Sequence, residues 1–375
     1  MTRGNMKIMM VLSSPTYEVS SAASHTTELR KALLNNGVEV KIISPDNQQK
    51  SSSEMPLLEA IRFIQRIKKT SKSETDAIIH VRSLRLAFLM SLPLFRPKSP
   101  ILLEANGIWS DEHGTSKIKK FIIRVMEKYA LNHASTVICV TEQIKEEYLP
   151  IMKKRNNIFV VENGVDPDKF KPIPNARQSL ISKYNIVAES KIVLFVGQFY
   201  AWQGIDILIE SFKEVIKRIP SAKLVLVGSG EEEMKLKRSV EISKLTHNIL
   251  FTGRILHEQI PTWISAADIV VSLKRPMKSG YSPLKIYEYL ACEKPVVATN
   301  VNGYEFIEKV NCGMLVPYGN TKKTAEAIIT LLENDNMGDM GRNGRKYILS
   351  GHTWDDAAKK VIEISSKMVI EKGER

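Results

Sequence analysis

A short stretch in the second half of the chain, YSPLKIYEYLACEKPVVAT (281–299), combines residue types that could hold a phosphate. It predicts a short helix with Ser282 as its N-cap and Pro283 at its first helical position. The first turn of such a helix presents free backbone N–H groups and a positive dipole end, which suit an anion. Lys285 adds a positive charge where the dipole disfavours one, which indicates either a bound anion or a capped helix with a solvated lysine.

Glu288 follows Lys285 by three residues and is expected close to the same face of that helix. Its carboxylate has two acceptor oxygens, which could take both hydroxyl groups of a ribose. A phosphate site beside a ribose site would bind a nucleotide. A glutamate in the middle of a helix is also common on protein surfaces, so both interpretations stay open.

The elements that must position these residues are short apolar runs rich in Val and Ile, separated by helical patterns. Such runs are typical of parallel strands that are buried on both faces. In the first half we predict strands at 7–12, 38–43, 77–81, 101–104, 136–140 and 158–161. In the second half we predict strands at 191–196, 223–227, 249–252, 269–273, 295–298 and 313–316. Six strands in each half predict an α/β fold with two doubly wound, Rossmann-like sheets.

The length of 375 residues also favours two domains, because a single hydrophobic core stops growing at about 250 to 300 residues. Prolines and scattered charges break any periodicity in 166–185, so we place the connection there. We predict one domain over 1–168, a second over 186–350, and a final helix over 351–375 that packs back on the first domain. The two domains are expected to face each other across a cleft that could hold two substrates.

The charge of the chain points to a polyanionic partner. There are 54 Lys and Arg against 41 Asp and Glu, which gives a net charge of +13. Nucleic acid, an anionic membrane or a phosphorylated substrate would suit this excess, but no basic tail, RNA-binding aromatic pattern or zinc motif supports nucleic acid. Because Cys139, Cys292 and Cys312 lack metal or disulfide spacing, and neither a signal peptide nor a spanning segment is indicated, we expect a cytoplasmic protein.

Two segments carry much of the basic excess, IRFIQRIKKTSK (61–72) and KIKKFIIRVMEKYAL (117–131). Both are amphipathic at helical spacing and have cationic polar faces, a pattern that suits the surface of an anionic membrane. A protein bound in this way would lie at the inner face of the membrane and act on a lipid-linked acceptor. The pattern is equally typical of surface helices whose apolar stripe belongs to the core, and this alternative stays open.

The motifs resemble, in order and spacing, those of a known enzyme family. GYSPLKIYEYLACEKPVVATN resembles the donor-site helix of retaining glycosyltransferases of the glycogen-synthase-like GT-B type, family 4. Further segments that match in order are VENGVDPDKFKP, VGQFYAWQGIDILIESF, LVLVGSGEEEMKL, FTGRILHEQIPTWISAADIVV and LVPYGNTKKTAEAIITLLEND. The resemblance implies a GT-B fold and retaining transfer of a sugar from a UDP- or GDP-sugar, without a metal ion or other cofactor. The acceptor would be a glycan or a lipid-linked glycan, bound by the N-terminal domain, in cell-surface glycan or glycolipid synthesis.

For the nucleotide-sugar donor, the resemblance implies a site in the C-terminal domain. The residues that it assigns to this site are Gly197, Gln198, Gln203, Arg254, Ile255, Ser282, Pro283, Leu284, Lys285 and Glu288. Glu288 would hold the ribose, and backbone N–H groups of 282–284 would hold the diphosphate. Arg254 and Ile255 would lie beside the base, and Gly197 would let its loop approach the leaving group.

The chain departs from the family pattern in two places. Gly280 stands where the Glu-x7-Glu pair has its first acid, which contacts the donor sugar, and Gln198 and Gln203 replace the Arg and Lys that clamp the diphosphate. Because the leaving diphosphate becomes more negative as its bond to the sugar breaks, other positive charge must take over. We expect Lys285 to have this catalytic role, assisted by a neighbouring cation. The candidates for that cation are Lys274, Arg275 and Lys278.

In the first half, the resemblance implies contacts to the acceptor or to the transferred sugar. Ser21 and Ala22 lie in a small-residue loop where relatives have glycines, and could approach the diphosphate or the sugar. Asn106 would hydrogen-bond a sugar hydroxyl or the acceptor, but an amide cannot act as a general base, so the departing phosphate would accept the proton. Arg82 and Glu104 are candidates for the same site or, equally, for a structural ion pair.

Other proteins with two such domains remain as alternatives. A non-hydrolysing nucleotide-sugar epimerase would be expected to carry more acids and histidines in its cleft, and a phosphorylase would bind pyridoxal phosphate. We see neither arrangement. A catalytically weakened partner subunit would explain Gly280 together with the two glutamines, and this alternative stays open.

Overall fold

The computed structural model describes residues 6–12, 21–45, 55–74, 77–184 and 186–373, with the backbone alone for 21–24 and 370–373. The chain forms two compact units. Unit 1 comprises Met1–Asn163 and Trp354–Arg375, and unit 2 comprises Gly164–Thr353. The last helix therefore belongs to unit 1, and the proline-containing segment 166–185 belongs to unit 2.

Unit 1 is built on a parallel sheet. Its strands are β1 (Lys7–Val11), β2 (Glu39–Ile43), β3 (Ala77–Val81), β4 (Ile101–Ala105), β5 (Thr136–Cys139) and β6 (Ile158–Val160). The helices between them are α1 (Ser21–Asn35), α2 (Leu57–Ser73), α3 (Leu84–Ser91), α4 (Trp109–His113), α5 (Lys117–His133) and α6 (Glu142–Tyr148). The strand order is β2-β1-β3-β4-β5-β6, and β3, β4 and β5 are buried along their whole length, as central strands covered on both faces should be.

Unit 2 repeats this plan. Its strands are β7 (Ile192–Val196), β8 (Lys223–Val227), β9 (Ile249–Gly253), β10 (Ile269–Ser272), β11 (Val296–Thr299) and β12 (Gly313–Val316). Its helices are α7 (Ala176–Tyr184), α8 (Ile205–Arg218), α9 (Glu233–Ile242), α10 (Ile260–Ala266), α11 (Leu284–Ala291), α12 (Phe306–Lys309), α13 (Thr321–Leu332) and α14 (Met337–Leu349). The strand order is β12-β11-β10-β7-β8-β9, and all pairs are parallel.

The final helix, α15 (Trp354–Gly373), packs against α1 within unit 1. Trp354 is buried, and its ring meets the ring of His25 edge-on at a centroid distance of 4.8 Å. About three turns further on, just after the end of α1, the side-chain amide of Asn36 donates a hydrogen bond to Asp355 Oδ1 at 2.6 Å. An aromatic contact and a polar contact therefore hold the start of α15 beside α1.

The predicted fold class is confirmed: the chain is α/β, with two doubly wound sheets. All twelve predicted strands are present, and each end lies within one residue of its predicted position. This agreement has a simple cause, since strands buried on both faces need continuous runs of β-branched and apolar residues, which are visible in a single sequence.

The two basic helices differ in what covers their apolar side chains. In α2, Phe63, Ile64 and Ile67 are buried in the core of unit 1, so the membrane interpretation of 61–72 is wrong. In α5, the apolar side chains that share one face of the first turns are exposed. Helical periodicity marks an apolar stripe but does not reveal what lies against it, which explains why the sequence did not separate the two helices.

Candidate functional site

The candidate site in unit 2 lies where the strand order of the sheet reverses. Strands β7 and β10 are hydrogen-bonded neighbours, and from this pair the chain winds outward in opposite directions along the sheet. In open parallel sheets, ligands bind outside the carboxyl ends of the strands at such a point. The loop 197–204 follows β7, and the loop 273–283 follows β10 and leads into α11. Most of the predicted donor residues lie on these two loops or on α11.

Lys285 is the centre of this arrangement. Its Nζ donates a hydrogen bond to Gln203 Oε1 at 3.1 Å and lies 4.1 Å from the centroid of the Phe195 ring. Gly197 has a φ of +154°, and a Cβ atom added there would lie 2.6 Å from Lys285 Nζ. The positive φ favours glycine, and the absence of a Cβ atom leaves the end of the Lys285 side chain in its present position. The structure brings together three of the predicted residues, Gly197, Gln203 and Lys285.

The electrostatics of this place are unusual because Lys274 is buried and Lys285 is half-buried near it. Burial, and then the positive charge of Lys274, hold the pKa of Lys285 well below its ordinary value. Burial also lowers the pKa of Lys274 to about 8, and its Nζ lies 4.5 Å from the centroid of the Tyr281 ring. Within the described ranges, neither lysine forms an ion pair with a carboxylate, and the charge of Glu288, which raises the pKa of Lys285, does not offset the burial. A bound anion would supply the missing negative charge.

The start of α11 differs from the prediction. The helix begins at Leu284, and Pro283 is its N-cap, with a ψ of 27° and a carbonyl that accepts a hydrogen bond from the Tyr287 N–H at 2.9 Å. The prediction of Ser282 as N-cap and Pro283 as first helical residue is therefore wrong by one position. The proline ring fixes φ but leaves ψ free, so proline can also stand just before a helix. Because proline has no side-chain acceptor, no N-cap side chain covers the first turn.

Gly280 adopts a conformation that other residues avoid. Its φ is +62°, and its N–H donates a hydrogen bond to the Met277 carbonyl at 3.1 Å, closing a turn. A residue with a Cβ atom would cost about 1 to 2 kcal/mol in this left-handed region. The backbone of this turn therefore gives a physical reason for glycine at the position where the family pattern has an acid.

Glu288, the predicted ribose ligand, is oriented by two residues that the sequence did not indicate. Its Oε1 lies 3.6 Å from His257 Nε2, and His257 Nδ1 lies 2.7 Å from Lys169 Nζ. An ammonium group can only donate, so Nδ1 must accept and the ring proton must be on Nε2, facing Glu288. The ring of Phe170 packs edge-on against His257 at 5.7 Å. The carboxylate of Glu288 is thus held at the end of a short polar chain.

The other donor candidates are more dispersed. Gln198 is exposed, whereas Gln203 on the same loop is buried against Lys285. Arg254 follows β9 and its Nε donates to Ser229 Oγ at 2.8 Å, and Ile255 packs against the core of unit 2. Arg254 and Ile255 therefore follow β9, which is an edge strand of the sheet. This strand lies two positions from β7, on the side away from β10.

In unit 1, the predicted residues Arg82, Glu104 and Asn106 form one cluster. Glu104 is 2% exposed, and it accepts hydrogen bonds from Arg82 Nε at 2.8 Å and pairs with His80 Nε2 at 2.8 Å. Burial alone would raise its pKa, but the charge of Arg82 and the contacts with His25 and His80 hold that pKa well below the usual range. The structural ion pair that the sequence left open is therefore present.

Asn106 is the part of this cluster that can meet a ligand. Arg82 Nη2 donates to Asn106 Oδ1 at 2.9 Å, so the amide oxygen is held and the exposed NH₂ group stays available as a donor. Burial lowers the pKa of His25 to about 3, so this histidine is neutral beside Glu104. For Ser21 and Ala22 the structure gives only the backbone, which begins α1, and their side chains lie outside the described residues.

Comparison with known proteins assigns both halves of the chain. Residues 22–169 match the family model described as Glycosyltransferase Family 4, and residues 190–334 match the model described as Glycosyl transferases group 1. The chain carries two glycosyltransferase domains. The matched ranges fall largely in unit 1 and unit 2, respectively.

Several glycosyltransferases are similar to this chain. The UDP-Gal:alpha-D-GlcNAc-diphosphoundecaprenol alpha-1,3-galactosyltransferase of Escherichia coli is 24% identical over 325 residues, which cover 84% of this chain and 82% of that protein. The GDP-mannose-dependent alpha-(1-6)-phosphatidylinositol monomannoside mannosyltransferase of Mycobacterium tuberculosis is 27% identical over 206 residues. That match spans about half of each chain, 53% in both cases.

Solved structures confirm the GT-B fold. Sucrose-phosphate synthase from Thermosynechococcus elongatus superposes with a TM-score of 0.79 at 21% identity, covering 98% of this chain and 100% of that one. Anabaena HepE in complex with UDP-glucose superposes with a TM-score of 0.76 at 20% identity, covering 96% and 100%. At this level of identity the likeness shows the fold, and the roles of single residues must be argued from this glycosyltransferase itself.

One further feature of the donor domain was not predicted. The ring of Trp202 lies nearly parallel to those of Tyr200 and Tyr281, at 6.2 and 5.9 Å between centroids. The Arg275 N–H donates to the Trp202 carbonyl at 2.9 Å, which ties the two loops of the site together. The run FYAWQG carries two of these aromatic residues, but their pairing with Tyr281, about 80 residues later, leaves no signal in local spacing.

Proposed function

We propose that this glycosyltransferase is a retaining enzyme that transfers a sugar from a UDP- or GDP-sugar to a glycan or lipid-linked acceptor, without a metal ion. The observation that carries the proposal is the pair of lysines at the point where the sheet of unit 2 reverses its order, the buried Lys274 and the half-buried Lys285, both with lowered pKa. The names of the relatives support the donor class, since one is dependent on GDP-mannose and another uses UDP-Gal. A structural neighbour has been seen with UDP-glucose.

Lys285 is the proposed diphosphate ligand and the main catalytic cation. As the bond between the sugar and the diphosphate breaks, negative charge develops on the leaving oxygen, and a cation fixed there stabilises the transition state. Lys274 is close enough to lower the pKa of Lys285, and it is therefore the proposed assistant. Arg275 and Lys278 are exposed, which makes them weaker candidates for this role. The first turn of α11 adds backbone N–H groups from Leu284 onwards.

Glu288 is the proposed ribose ligand, with His257 and Lys169 as positioning residues. A carboxylate must present both oxygens to two neighbouring hydroxyl groups, so its rotation needs to be restricted. The Nε2–H of His257 faces one oxygen of Glu288, and Lys169 fixes the tautomer that makes this possible. We place Arg254 and Ile255 beside the base on the resemblance alone.

The proposed transfer needs no protein base. The bond between the anomeric carbon and the diphosphate oxygen breaks, the acceptor hydroxyl oxygen bonds to the same face of that carbon, and its proton passes to the departing phosphate oxygen. Lys285 neutralises charge on the diphosphate while this happens. Asn106, held by Arg82, is proposed to donate a hydrogen bond to a hydroxyl of the acceptor or the sugar.

A catalytically weakened partner subunit is the second candidate, because Gly280, Gln198 and Gln203 replace an acid and two cations of the family pattern. Two measurements separate the candidates. Thermal shifts with UDP, GDP, ADP and dTDP identify the donor base, because binding to the native state raises the melting temperature. Slow hydrolysis of the matching sugar nucleotide identifies an active enzyme, and an α-linked transfer product from an α-linked donor, observed by NMR, identifies a retaining one.

Each outcome decides one part of the proposal. A response to a nucleotide without any hydrolysis or transfer would favour the weakened subunit. A product of inverted configuration, or turnover that chelation of metal abolishes, would refute the retaining, metal-independent mechanism. No response to any of the four nucleotides would refute the donor site itself.

A further inference from the structure

Helix α5 carries an apolar face that the fold leaves uncovered. Ile118, Phe121, Ile122 and Val125 are 75%, 70%, 53% and 54% exposed. Their spacing of i, i+3, i+4 and i+7 places them on one arc of roughly 100° around the helix. Four large apolar side chains in one stripe differ from the single exposed apolar residues that are normal on protein surfaces. We call these four residues the α5 stripe.

The opposite face of α5 is fixed to the core of unit 1. Glu127 is completely buried, and its Oε1 accepts hydrogen bonds from Tyr148 Oη at 2.9 Å and from the Ser110 N–H at 3.1 Å. Arg124 Nη1 pairs with its second oxygen at 3.2 Å. Ser116 caps the helix by accepting a hydrogen bond from the Lys119 N–H at 3.2 Å. These contacts fix the rotation of α5, so the α5 stripe cannot turn inward.

Basic side chains border the α5 stripe. Lys117 and Lys119 are exposed and lie on the two sides of the stripe, roughly 40° to 60° beyond its edges at 100° per residue. In the part of the chain that the structure describes, neither forms an ion pair. On α9, by contrast, Lys235 and Lys237 pair with Glu232 and Glu233 at 2.8 Å. The cations beside the α5 stripe are therefore free to meet external anions.

We propose that the α5 stripe docks on an anionic lipid bilayer. An apolar stripe with lysines on its borders fits the boundary between acyl chains and anionic headgroups, where the apolar side chains insert and the lysines contact phosphates. Among the described helices, none is long and apolar enough to cross a membrane, so this contact would be peripheral. The net charge of +13 acts in the same direction by attracting the chain to a negative surface.

The test is co-sedimentation of the full chain with vesicles of phosphatidylcholine, with and without phosphatidylglycerol. We expect binding to the anionic vesicles that weakens as salt rises, and little binding to neutral vesicles. The variant F121S/I122S should lower the partition coefficient at least about tenfold, because two inserted side chains lose their apolar contact with the lipid. K117Q/K119Q should remove the preference for anionic lipid.

The matched control is M234S/I242S on α9, which also removes two apolar side chains, 80% and 74% exposed, beside lysines. It should bind vesicles like the unchanged chain. Equal binding to anionic and neutral vesicles, or unchanged binding by F121S/I122S, would overturn the proposal. So would a dimer that does not bind vesicles and that F121S/I122S converts to a monomer, because the α5 stripe would then be a self-interface. If F121S/I122S melts at a lower temperature than the parent, its vesicle binding is not used. The proposal then stands if K117Q/K119Q loses the preference for anionic vesicles and falls if that preference is unchanged.

Discussion

The two units both bury charge near the ends of their central strands, but they do so in opposite ways. In unit 1 the buried charge is the carboxylate of Glu104, and Arg82, His80 and His25 surround it at 2.8 to 3.3 Å. In unit 2 the charges are the ammonium groups of the buried Lys274 and the half-buried Lys285, and burial lowers the pKa of both lysines while the charge of Lys274 lowers that of Lys285 further. Within the described residues, the first cluster has its ion pairs in place, whereas neither lysine of the second has a carboxylate at salt-bridge distance and only the more distant Glu288 raises the pKa of Lys285.

This difference separates structure from function. A buried charge with its partner in place holds a fold together, and removing the partner is costly. A buried charge without a partner destabilises the free protein and persists where a ligand supplies what is missing. We therefore propose that the Glu104 cluster stabilises unit 1 and that the lysine pair binds the nucleotide. Variants in each unit test the two halves of that proposal.

The largest effect is expected from Glu104→Gln. The amide keeps the shape of the side chain but leaves Arg82 without its charge partner, so the free energy of unfolding should fall by about 3 to 5 kcal/mol. Urea denaturation followed by circular dichroism measures this, and the nucleotide-induced thermal shift of unit 2 serves as the control that should survive. A loss below about 1 kcal/mol would show that the cluster does not stabilise unit 1.

Lys285→Met should lower turnover about 100- to 1,000-fold, because it removes the cation that faces the developing charge and keeps the volume of the side chain. Steady-state transfer or donor hydrolysis measures this. Lys217→Met, which removes an exposed lysine of α8 paired with Glu214, is the matched control and should keep full activity. Turnover of the Lys285 variant within a factor of a few of the parent would move the catalytic cation elsewhere.

The pH dependence should have opposite signs for binding and for stability. The pKa of Lys274 is about 8 in the free protein, against 10.5 for an ordinary lysine. A bound anion raises this pKa, so the nucleotide binds the protonated lysine more tightly. Nucleotide affinity should therefore fall as pH rises from about 8, by up to about tenfold per pH unit. The unfolded chain binds more protons in this window, so the free protein should gain stability as pH rises. Calorimetry across the window tests both slopes, and Lys274→Met should weaken them. Affinity that does not change with pH would contradict the account.

The smallest effect is expected from His257→Gln. This change removes the ring that orients Glu288 but leaves the ribose ligand itself in place, so nucleotide dissociation constants should rise about three- to tenfold. A titration of the responding nucleotide measures this, and turnover at saturating donor should stay near the parent value. Glu258→Gln, at the neighbouring exposed position, is the control. A loss of turnover without a change in affinity would give His257 a different role.

The strands could be predicted from local sequence, because strands buried on both faces need continuous apolar runs. The lysine site came from the family resemblance, and its residues Gly197, Gln203 and Lys285 meet because β7 and β10 are neighbours and parallel strands end at one edge of a sheet. The prediction at Ser282 was wrong because proline restricts φ and not ψ, so one residue of uncertainty at a helix start remained.

The parts that could not be predicted depend on contacts between distant residues. Lys169 and His257 are 88 positions apart, and nothing in their local sequence indicates that they meet beside Glu288. The two basic helices have the same periodicity, but in α2 the stripe meets the core and in α5 a buried Glu127 turns the stripe outward. A single sequence shows which side chains share a face and not what covers that face.

The most direct measurement is the melting temperature of Lys285→Met, with and without the nucleoside diphosphate that stabilises the parent chain. If the lysine is desolvated for the sake of an anionic ligand, the free variant should melt no lower than the parent, because a desolvated cation without a carboxylate at salt-bridge distance among the described residues has been removed. The rise on adding nucleotide should disappear. A variant that melts several degrees lower, or that keeps the full rise, would contradict the claim that unit 2 holds its donor diphosphate on Lys285.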